Sequence, residues 1–276
     1  MKIYISIDME GMPGTFNWGH EKKDRKAVQS CMQTHVSTAL KAILNSEQNK
    51  DITEIAIADS HDEGDNLSYE ITALDERITL ISGDPRPEYM MPAFDESYDM
   101  VFLLGYHAGT GALLGNMDHT YSNSRIQKIW INGEAMNEAL INAAYAGYHH
   151  VPVALVSGDR ALERELSSPM PWLRYVATKE GIAKFAAKSY SSVKVNAELS
   201  TMVKEALQQR ALPIFTFDAP IELKLELHST SMADVACLMP DVKRLDGKTI
   251  LYVHEDYKVL FNALMALVTL ASSVGI

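Results

Sequence analysis

Short apolar runs rich in Ile, Val and Leu recur through the first 160 residues, and most are followed by Gly, Asp or His. Such runs, ended by residues that favour turns, are typical of buried strands. The strands predicted in this way occupy residues 2–7, 52–58, 78–82, 100–104, 126–131 and 151–157. Apolar residues at helical spacing predict helices over residues 27–46 and 134–146. This alternation favours an α/β fold with a mostly parallel sheet flanked by helices.

The chain after residue 160 has a different pattern. Helices are predicted over residues 197–210 and 257–272, and strands over residues 221–227 and 249–254. We therefore expect an α/β domain over residues 1–160 and a smaller α+β portion over residues 161–276 that completes the fold. The apolar C-terminal stretch contains Asn262 and two adjacent serines, which predicts a buried helix and not a membrane span.

The net charge limits the kinds of partner that the protein can bind, and the cysteine content indicates the cellular compartment in which it works. The chain has 36 acidic and 25 basic residues, and its formal net charge of -11 repels the phosphate backbone of nucleic acids. Cys31 and Cys237 form no Cys-x-x-Cys pair, so a thiolate zinc site is excluded and two free thiols are expected. The N-terminal apolar run is too short for a signal peptide. We expect a cytoplasmic protein that binds neither nucleic acid nor membranes.

Potential metal ligands follow three of the predicted strands. Asp8 and Glu10 come after the first strand, His61 comes after the second, and His107 follows the strand that begins at residue 100. Ligands bind at the carboxyl ends of the strands in open parallel sheets, so these side chains are expected to converge on one rim. Asp8 and Glu10, two residues apart in an extended segment, would point the same way. Their mutual repulsion would raise the pKa of each unless a cation lay between them.

Two further candidates lie in the chain after His107. Glu138 is on the predicted helix, four residues after Glu134 and beside an apolar run, where a carboxylate is costly unless it is paired or bound to metal. His119 lies in a loop rich in Gly and Asn. These oxygen and imidazole ligands suit a hydrolytic zinc centre. Five or more of them, with one carboxylate free to bridge, suggest two zinc ions.

Each group also has a structural explanation when it is taken alone. Asp8 could cap a turn while Glu10 faces water, and Asp59 could form an Asx-turn beside an exposed His61. His107 could bond a backbone carbonyl at the edge of the core. A loop histidine such as His119 is commonly just solvated. Only the combination of these residues favours a metal site.

Six motifs, in order along the chain, resemble those of the DppA-type D-aminopeptidase family. A later Leu-Met-Pro segment at residues 238–240 and the helical C-terminus also fit, so the resemblance covers nearly the whole chain. The motifs are Ser6-Ile7-Asp8-Met9-Glu10-Gly11, Asp59-Ser60-His61, Ile81-Ser82-Gly83-Asp84, Leu104-Gly105-Tyr106-His107-Ala108, Met117-Asp118-His119 and the stretch from Ile131-Asn132-Gly133 to Glu138.

The resemblance implies a dinuclear zinc aminopeptidase that hydrolyses short peptides with an N-terminal D-residue. Our hypothesis for its mechanism is attack by a zinc-bound hydroxide, with His119 stabilising the oxyanion or passing a proton to the leaving amine. The catalytic role falls on His119, and Asp8 would bridge the two ions. The resemblance also implies a ring-shaped homodecamer whose active sites face an inner channel. The metal ligands that it implies are Asp8, Glu10, His61, His107 and Glu138.

The sequence departs from the family in two places. Asp118 stands before His119 where the family relative carries a serine, and the added acid could alter the pKa of His119 or contact the substrate amine. Residues 13–21 also differ in length and content. These departures bear on substrate preference more than on metal binding.

Two other kinds of function remain compatible with the sequence. One is another metal-dependent hydrolase on the same scaffold, such as an L-aminopeptidase, an amidase or a phosphoesterase. The ligand motifs contain no Lys or Arg, which lowers the case for a phosphoester substrate. The other is a peptide- or metal-binding protein without turnover, for which the additional loop histidine, His119, would be unnecessary.

Overall fold

The computed structural model describes residues 1–275, and Ile276, the last residue of the predicted C-terminal portion, lies outside the described residues. Short 3-10 helices occupy Glu47–Asp51 and Tyr69–Leu74. The strands are β1 (Lys2–Ile7), β2 (Glu54–Asp59), β3 (Ile78–Ile81), β4 (Met100–Tyr106), β5 (Ile126–Ile131), β6 (Glu134–Ala135), β7 (Val153–Asp159), β8 (Arg174–Ala183), β9 (Ala186–Ser189), β10 (Ile221–Leu227), β11 (Lys243–Arg244) and β12 (Thr249–His254). The α-helices are α1 (Trp18–Lys23), α2 (Arg25–Leu44), α3 (Glu138–Tyr148), α4 (Arg160–Leu166), α5 (Ser192–Gln208), α6 (Thr230–Ala236) and α7 (Tyr257–Ser272).

Seven strands form the first sheet, in the order β3-β2-β1-β4-β7-β8-β9. The pairs from β3 to β8 are parallel, and β9 runs antiparallel to β8. The prediction of a mostly parallel sheet flanked by helices is therefore confirmed. β1 lies between β2 and β4, with Ser6 opposite both Ala58 and Leu103. The carboxyl ends of these three strands consequently adjoin at one edge of the sheet.

The second sheet is antiparallel and has the strand order β11-β12-β10-β5-β6. The alternation of strands and helices placed residues 126–131 among the parallel strands, but this strand, β5, pairs with β10 in the second sheet. Both sheets thus contain strands from either side of residue 160. The division of the chain at that residue stays a prediction.

The helix predicted over residues 134–146 is wrong in its first turn. Asn132 and Gly133 adopt positive φ angles of 48° and 85°, and they form the turn of the β5–β6 hairpin. An Asn-Gly pair between apolar residues is a strong hairpin signal. α3 begins only at Glu138, where the Asn137 side chain caps the helix by accepting from Leu140 N at 2.8 Å. Glu134 is exposed in β6 and shares no helix face with Glu138.

The central strand β1 is buried on both faces, which explains its continuous apolar sequence. Ile3, Ile5 and Ile7 pack into a core with α2 and α5 on one face of the sheet. Tyr4 belongs to a second core on the opposite face, which also contains residues of α3, the second sheet and α7. Burial on both faces fixes the register of β1, and with it the place where its polar C-terminal residues emerge.

The predicted C-terminal helix coincides with α7 over residues 257–272. Its buried residues Leu260, Phe261 and Leu264 pack in the second core, and the helix contacts α3 and α6. Among the helices of residues 1–275, none combines the length and the apolar content that crossing a membrane requires.

Candidate metal centre

The predicted site residues meet at the carboxyl end of the first sheet, where β1, β2 and β4 adjoin. All six are buried, and their potential ligand atoms form two groups, each with its atoms within 4.8 Å of one another. The first group is Asp8, Glu10 and His61, and the second is His107, His119 and Glu138. Residues separated by up to 130 positions in the sequence are therefore brought into one site.

The chain after β1 is held tightly against β4. Asp8 N donates to Leu104 O at 2.8 Å, and Gly11 N donates to Gly105 O at 2.7 Å. A Cβ atom at Gly11 would lie 1.8 Å from Tyr106 O, so only glycine allows this approach. The close contact fixes the backbone on both sides of Glu10 and directs the Asp8 and Glu10 carboxylates toward the end of β4.

Asp8 stands between the two groups of ligands. Its Oδ1 lies 3.2 Å from His61 Nδ1, and its Oδ2 lies 3.4 Å from His107 Nε2. Glu10 Oε2 is 3.1 Å from His61 Nδ1, and Glu138 Oε2 is 3.4 Å from His107 Nε2. One oxygen of Asp8 therefore faces each group, which is the geometry of a bridging carboxylate.

Three of these inward-facing atoms have no hydrogen-bond partner among the described residues: Asp8 Oδ2, Glu10 Oε2 and His107 Nε2. A buried polar atom without a partner is costly. His107 Nδ1 lies 3.0 Å from Ala108 O, which can only accept, so in the neutral ring Nδ1 carries the hydrogen. The Nε2 lone pair then faces two carboxylates. Such converging lone pairs fit divalent cations, and the mixture of carboxylate and imidazole fits zinc.

The outward-facing atoms of the same residues, by contrast, have protein partners. Trp18 Nε1 donates to Glu10 Oε1 at 2.7 Å, and Tyr121 N donates to Glu138 Oε1 at 2.6 Å. His61 Nε2 lies 3.2 Å from Glu21 Oε1. Metal-binding side chains are typically held in this way by a surrounding layer of hydrogen bonds, which orients each ligand before the ion binds.

The buried carboxylates and imidazoles of the site shift one another's pKa values. Burial and the neighbouring Glu10 raise the pKa of Asp8 to about 7. Burial lowers the pKa of His107, but Glu138 and Asp8 outweigh that effect and raise it to about 10. Burial also lowers the pKa of His61, but Glu10, Asp8 and Glu21 together outweigh it and raise the pKa of that imidazole well above its usual value. Protons on the imidazoles thus occupy the place that cations would take, since metal binding displaces them.

His119 differs from the other imidazoles. Its ring stacks on His107 with the ring centroids 4.2 Å apart and the planes inclined by 4°. Burial and the neighbouring His107 lower the pKa of His119, which favours the neutral ring. Its Nδ1 lies 2.9 Å from Met117 O and so carries the hydrogen, while Nε2 lies 3.8 Å from both Glu10 Oε1 and Glu138 Oε1. His119 therefore presents a free proton-accepting nitrogen to the site.

Two acidic residues of the sequence motifs lie outside the two groups. Asp59 accepts hydrogen bonds from Asn66 N at 2.7 Å and from Leu67 N at 2.8 Å, which closes the loop after β2. Asp118 accepts from Gly111 N at 2.7 Å and pairs with Lys184 Nζ at 3.2 Å. Both carboxylates stabilise loops that carry site histidines, and neither lines the cavity beside the site.

Three residues that contact the site were not predicted from the sequence. Trp18 and Glu21 come from α1 and lie within residues 13–21, the stretch that we predict to differ from the family. Lys179 comes from β8, is 0% exposed, and donates to the carbonyls of Glu10 and Thr15, the latter at 2.7 Å. Burial lowers the pKa of Lys179 to about 8. A single lysine in a strand gives no sequence pattern that would mark it as a site residue. For α1, the only indication in the sequence is the predicted difference of residues 13–21 from the family.

A cavity of about 410 Å³ opens beside the two groups. This volume lies at the lower end of the range for small-molecule sites and has room for a short peptide. The wall is built from α1 on one side and the loop after His119 on the other. The lining residues are Asp8, Glu10, Trp18, Lys22, Ser60, His61, Asp62, Tyr89, Met90, His119, Tyr121, Ser122, Asn123, Ser124 and Glu138.

Replacing Trp18 with Phe removes the indole N–H that holds Glu10 and keeps an aromatic ring beside His119, whose centroid lies 5.2 Å away. We expect zinc affinity to fall about 10-fold or more, because loss of a hydrogen bond to a ligand typically has that effect. Competition of the metal-free protein with a chromophoric zinc chelator measures it. Trp130→Phe, in β5 and away from the cavity, is the control. Unchanged zinc affinity in Trp18→Phe would contradict this role.

Comparison with known proteins identifies the family of the chain. The D-aminopeptidase family model matches residues 1–266. A D-aminopeptidase of Bacillus subtilis (strain 168) is 30% identical over 278 residues, which cover 98% of each chain. The solved structure of the Zn-dependent D-aminopeptidase DppA from Bacillus subtilis, a self-compartmentalizing protease, superposes with a TM-score of 0.92 at 28% identity and with full coverage of both chains. The predicted resemblance is confirmed, and the chain belongs to the D-aminopeptidase family.

Proposed function

We propose that the protein is a zinc-dependent aminopeptidase that hydrolyses short peptides with an N-terminal D-residue. The observation that carries this proposal is the pair of buried ligand groups joined by Asp8, with unpartnered carboxylate and imidazole atoms facing one another. The membership of the D-aminopeptidase family and the likeness to a Zn-dependent relative support both the metal and the substrate class.

Asp8, Glu10 and His61 would hold one zinc ion, and His107 and Glu138, with the other oxygen of Asp8, would hold the second. The hydrogen bonds from Trp18 and from Tyr121 N occupy the second oxygens of the two glutamates, which leaves one oxygen of each for metal. Carboxylate and imidazole ligands of this kind are those that catalytic zinc sites use.

Bound zinc ions would acidify a water molecule at neutral pH and polarise the scissile carbonyl. The contribution of the protein's own side chains is proton transfer and orientation. His119 Nε2, neutral and free, accepts a proton near Glu10 and Glu138 and returns it to the leaving amine. The Met117 carbonyl fixes the ring of His119 in the tautomer that this role needs.

The stereochemistry of the substrate is the first test. We expect the zinc-loaded protein to release alanine from D-Ala-D-Ala and D-Ala-Gly, and to act much more slowly on the L-isomers. Chromatographic detection of free amino acid measures this, and treatment with a chelator should abolish release because the nucleophile depends on metal. Faster hydrolysis of the L-isomers would make the protein an L-aminopeptidase, and no release from either series would contradict a peptidase.

The role of His119 is tested separately. His119→Ala should lower kcat by about 10²- to 10⁴-fold, the usual contribution of a general acid–base group, while two zinc ions per chain are retained. Metal analysis of the purified variant beside the wild type measures the second quantity. Loss of one zinc ion would show that His119 is a ligand, a role for which its place beside His107 and Glu138 also qualifies it.

A phosphoesterase on the same scaffold has less support. Four carboxylates line the cavity (Asp8, Glu10, Asp62 and Glu138), and Lys22 is the one Lys or Arg among the described residues that line it. Phosphate groups are typically bound by several Lys or Arg side chains, so a wall with one such residue gives a phosphoester substrate less support.

We further propose that the protein assembles as a homodecamer. Support comes from the self-compartmentalizing relative and from exposed apolar side chains in the loop after β4 and in the β8–β9 hairpin. Leu113 is 82% exposed and Ile182 is 62% exposed. The loop that carries Leu113 lies against the β8–β9 hairpin that carries Ile182, since a Cβ atom at Gly181 would lie 2.1 Å from Leu114 O. Large exposed apolar side chains on two segments that adjoin are typical of a protein interface.

Light scattering should give the mass of ten 30.7 kDa chains for the wild type, and a smaller species for the double variant Leu113→Asp with Ile182→Asp. The control is Leu238→Asp, which alters a leucine that is 76% exposed elsewhere on the surface. A monomeric wild type would contradict the assembly, and a decameric double variant would exclude this patch as its interface.

We also propose that the protein acts in the cytoplasm. Cys31 and Cys237 are both free thiols, as expected for a protein that functions in a reducing compartment.

A further inference from the structure

The short helix α1 presents three side chains to the candidate site. Trp18 bonds Glu10, Glu21 bonds His61, and Lys22 lines the cavity. Their spacing of three and four residues places them on one face of the helix. The first two hold ligands in position. Lys22, which is exposed and reaches the cavity without touching a ligand, has no such role in the two metal groups.

The other cations around the cavity already have protein partners. Lys179 donates to backbone carbonyls of the loop after β1, and Lys184 pairs with Asp118. Arg86 donates to the carbonyls of Ser60 and Asp62. Within residues 1–275, Lys22 forms no ion pair at 4.0 Å or less, so its ammonium is available to an anion that enters the cavity.

We propose that Lys22 binds the C-terminal carboxylate of the peptide substrate. This inference rests on the proposed peptidase function and narrows its substrate class to short peptides with a free C-terminus. Apart from the residues of the two metal groups, Lys22 is the one cationic side chain among the described residues that line the cavity, so it offers a substrate carboxylate a partner that the scissile bond does not occupy. The cavity has a volume of about 410 Å³, and the scissile bond would lie at the metal centre. The C-terminus of the substrate would therefore lie inside the cavity only if the peptide is short.

The test compares D-Ala-D-Ala with its C-terminal amide, which lacks the negative charge. We expect the wild type to have a lower KM for the free acid. Lys22→Met should raise the KM for the acid by about 2- to 10-fold, the effect of one partly exposed ion pair, while kcat and the KM for the amide stay unchanged. Lys22→Arg should restore most of the difference, and salt should weaken it in the wild type.

Lys23→Met is the matched control, since Lys23 is the next residue of α1, is exposed, and does not line the cavity. It should behave as the wild type with both peptides. Equal KM values for acid and amide in the wild type, or an equal loss with both peptides in Lys22→Met, would overturn the role of Lys22 while leaving the peptidase intact. A wild type that hydrolyses neither peptide would overturn the proposed function, and the role of Lys22 with it.

Discussion

The repulsion between buried carboxylates at the end of the first sheet is the constraint that the rest of the site must satisfy. Asp8, Glu10 and Glu138 are each at most 3% exposed and lie around two imidazoles whose nitrogen atoms face them. Burial of so much negative charge is unfavourable unless positive charge lies between the carboxylates. Protons on His61 and His107 provide it in the metal-free protein. Two divalent cations would provide it as well, since the two groups offer the carboxylate and imidazole atoms that hold such ions.

The parallel sheet holds these buried charged residues close together despite their repulsion. β1 is locked by apolar packing on both faces, and its last residues are pinned to β4 by backbone hydrogen bonds on either side of Glu10. Lys179 then reaches from β8 and donates a hydrogen bond to the backbone carbonyl of Glu10, without forming an ion pair with any site carboxylate. Rigid strands therefore hold the ligands at fixed positions relative to one another.

Much of the fold and most of the site were predictable from the sequence, for identifiable reasons. β1, β5, β10, β12 and α7 coincide with predicted ranges, because each has a clear apolar period and ends in turn-forming residues. β8 gave no such signal, since Lys179 and Gly181 interrupt it. The start of α3 was misplaced because the Asn132-Gly133 turn was not read as a hairpin. The assignment of β5 to the second sheet depends on its long-range pairing with β10, which local patterns do not encode.

The convergence of Asp8, His61 and His107 followed from parallel strand ends, whereas the contacts of α1 did not. Trp18 and Glu21 belong to a helix of six residues without an apolar period, and their partners are set by how that helix packs. The account as a whole is tested most directly by crystals of the zinc-loaded protein measured at the zinc absorption edge. It predicts two anomalous peaks per chain, one on each side of the Asp8 carboxylate. A single peak, or peaks away from Asp8, would contradict it.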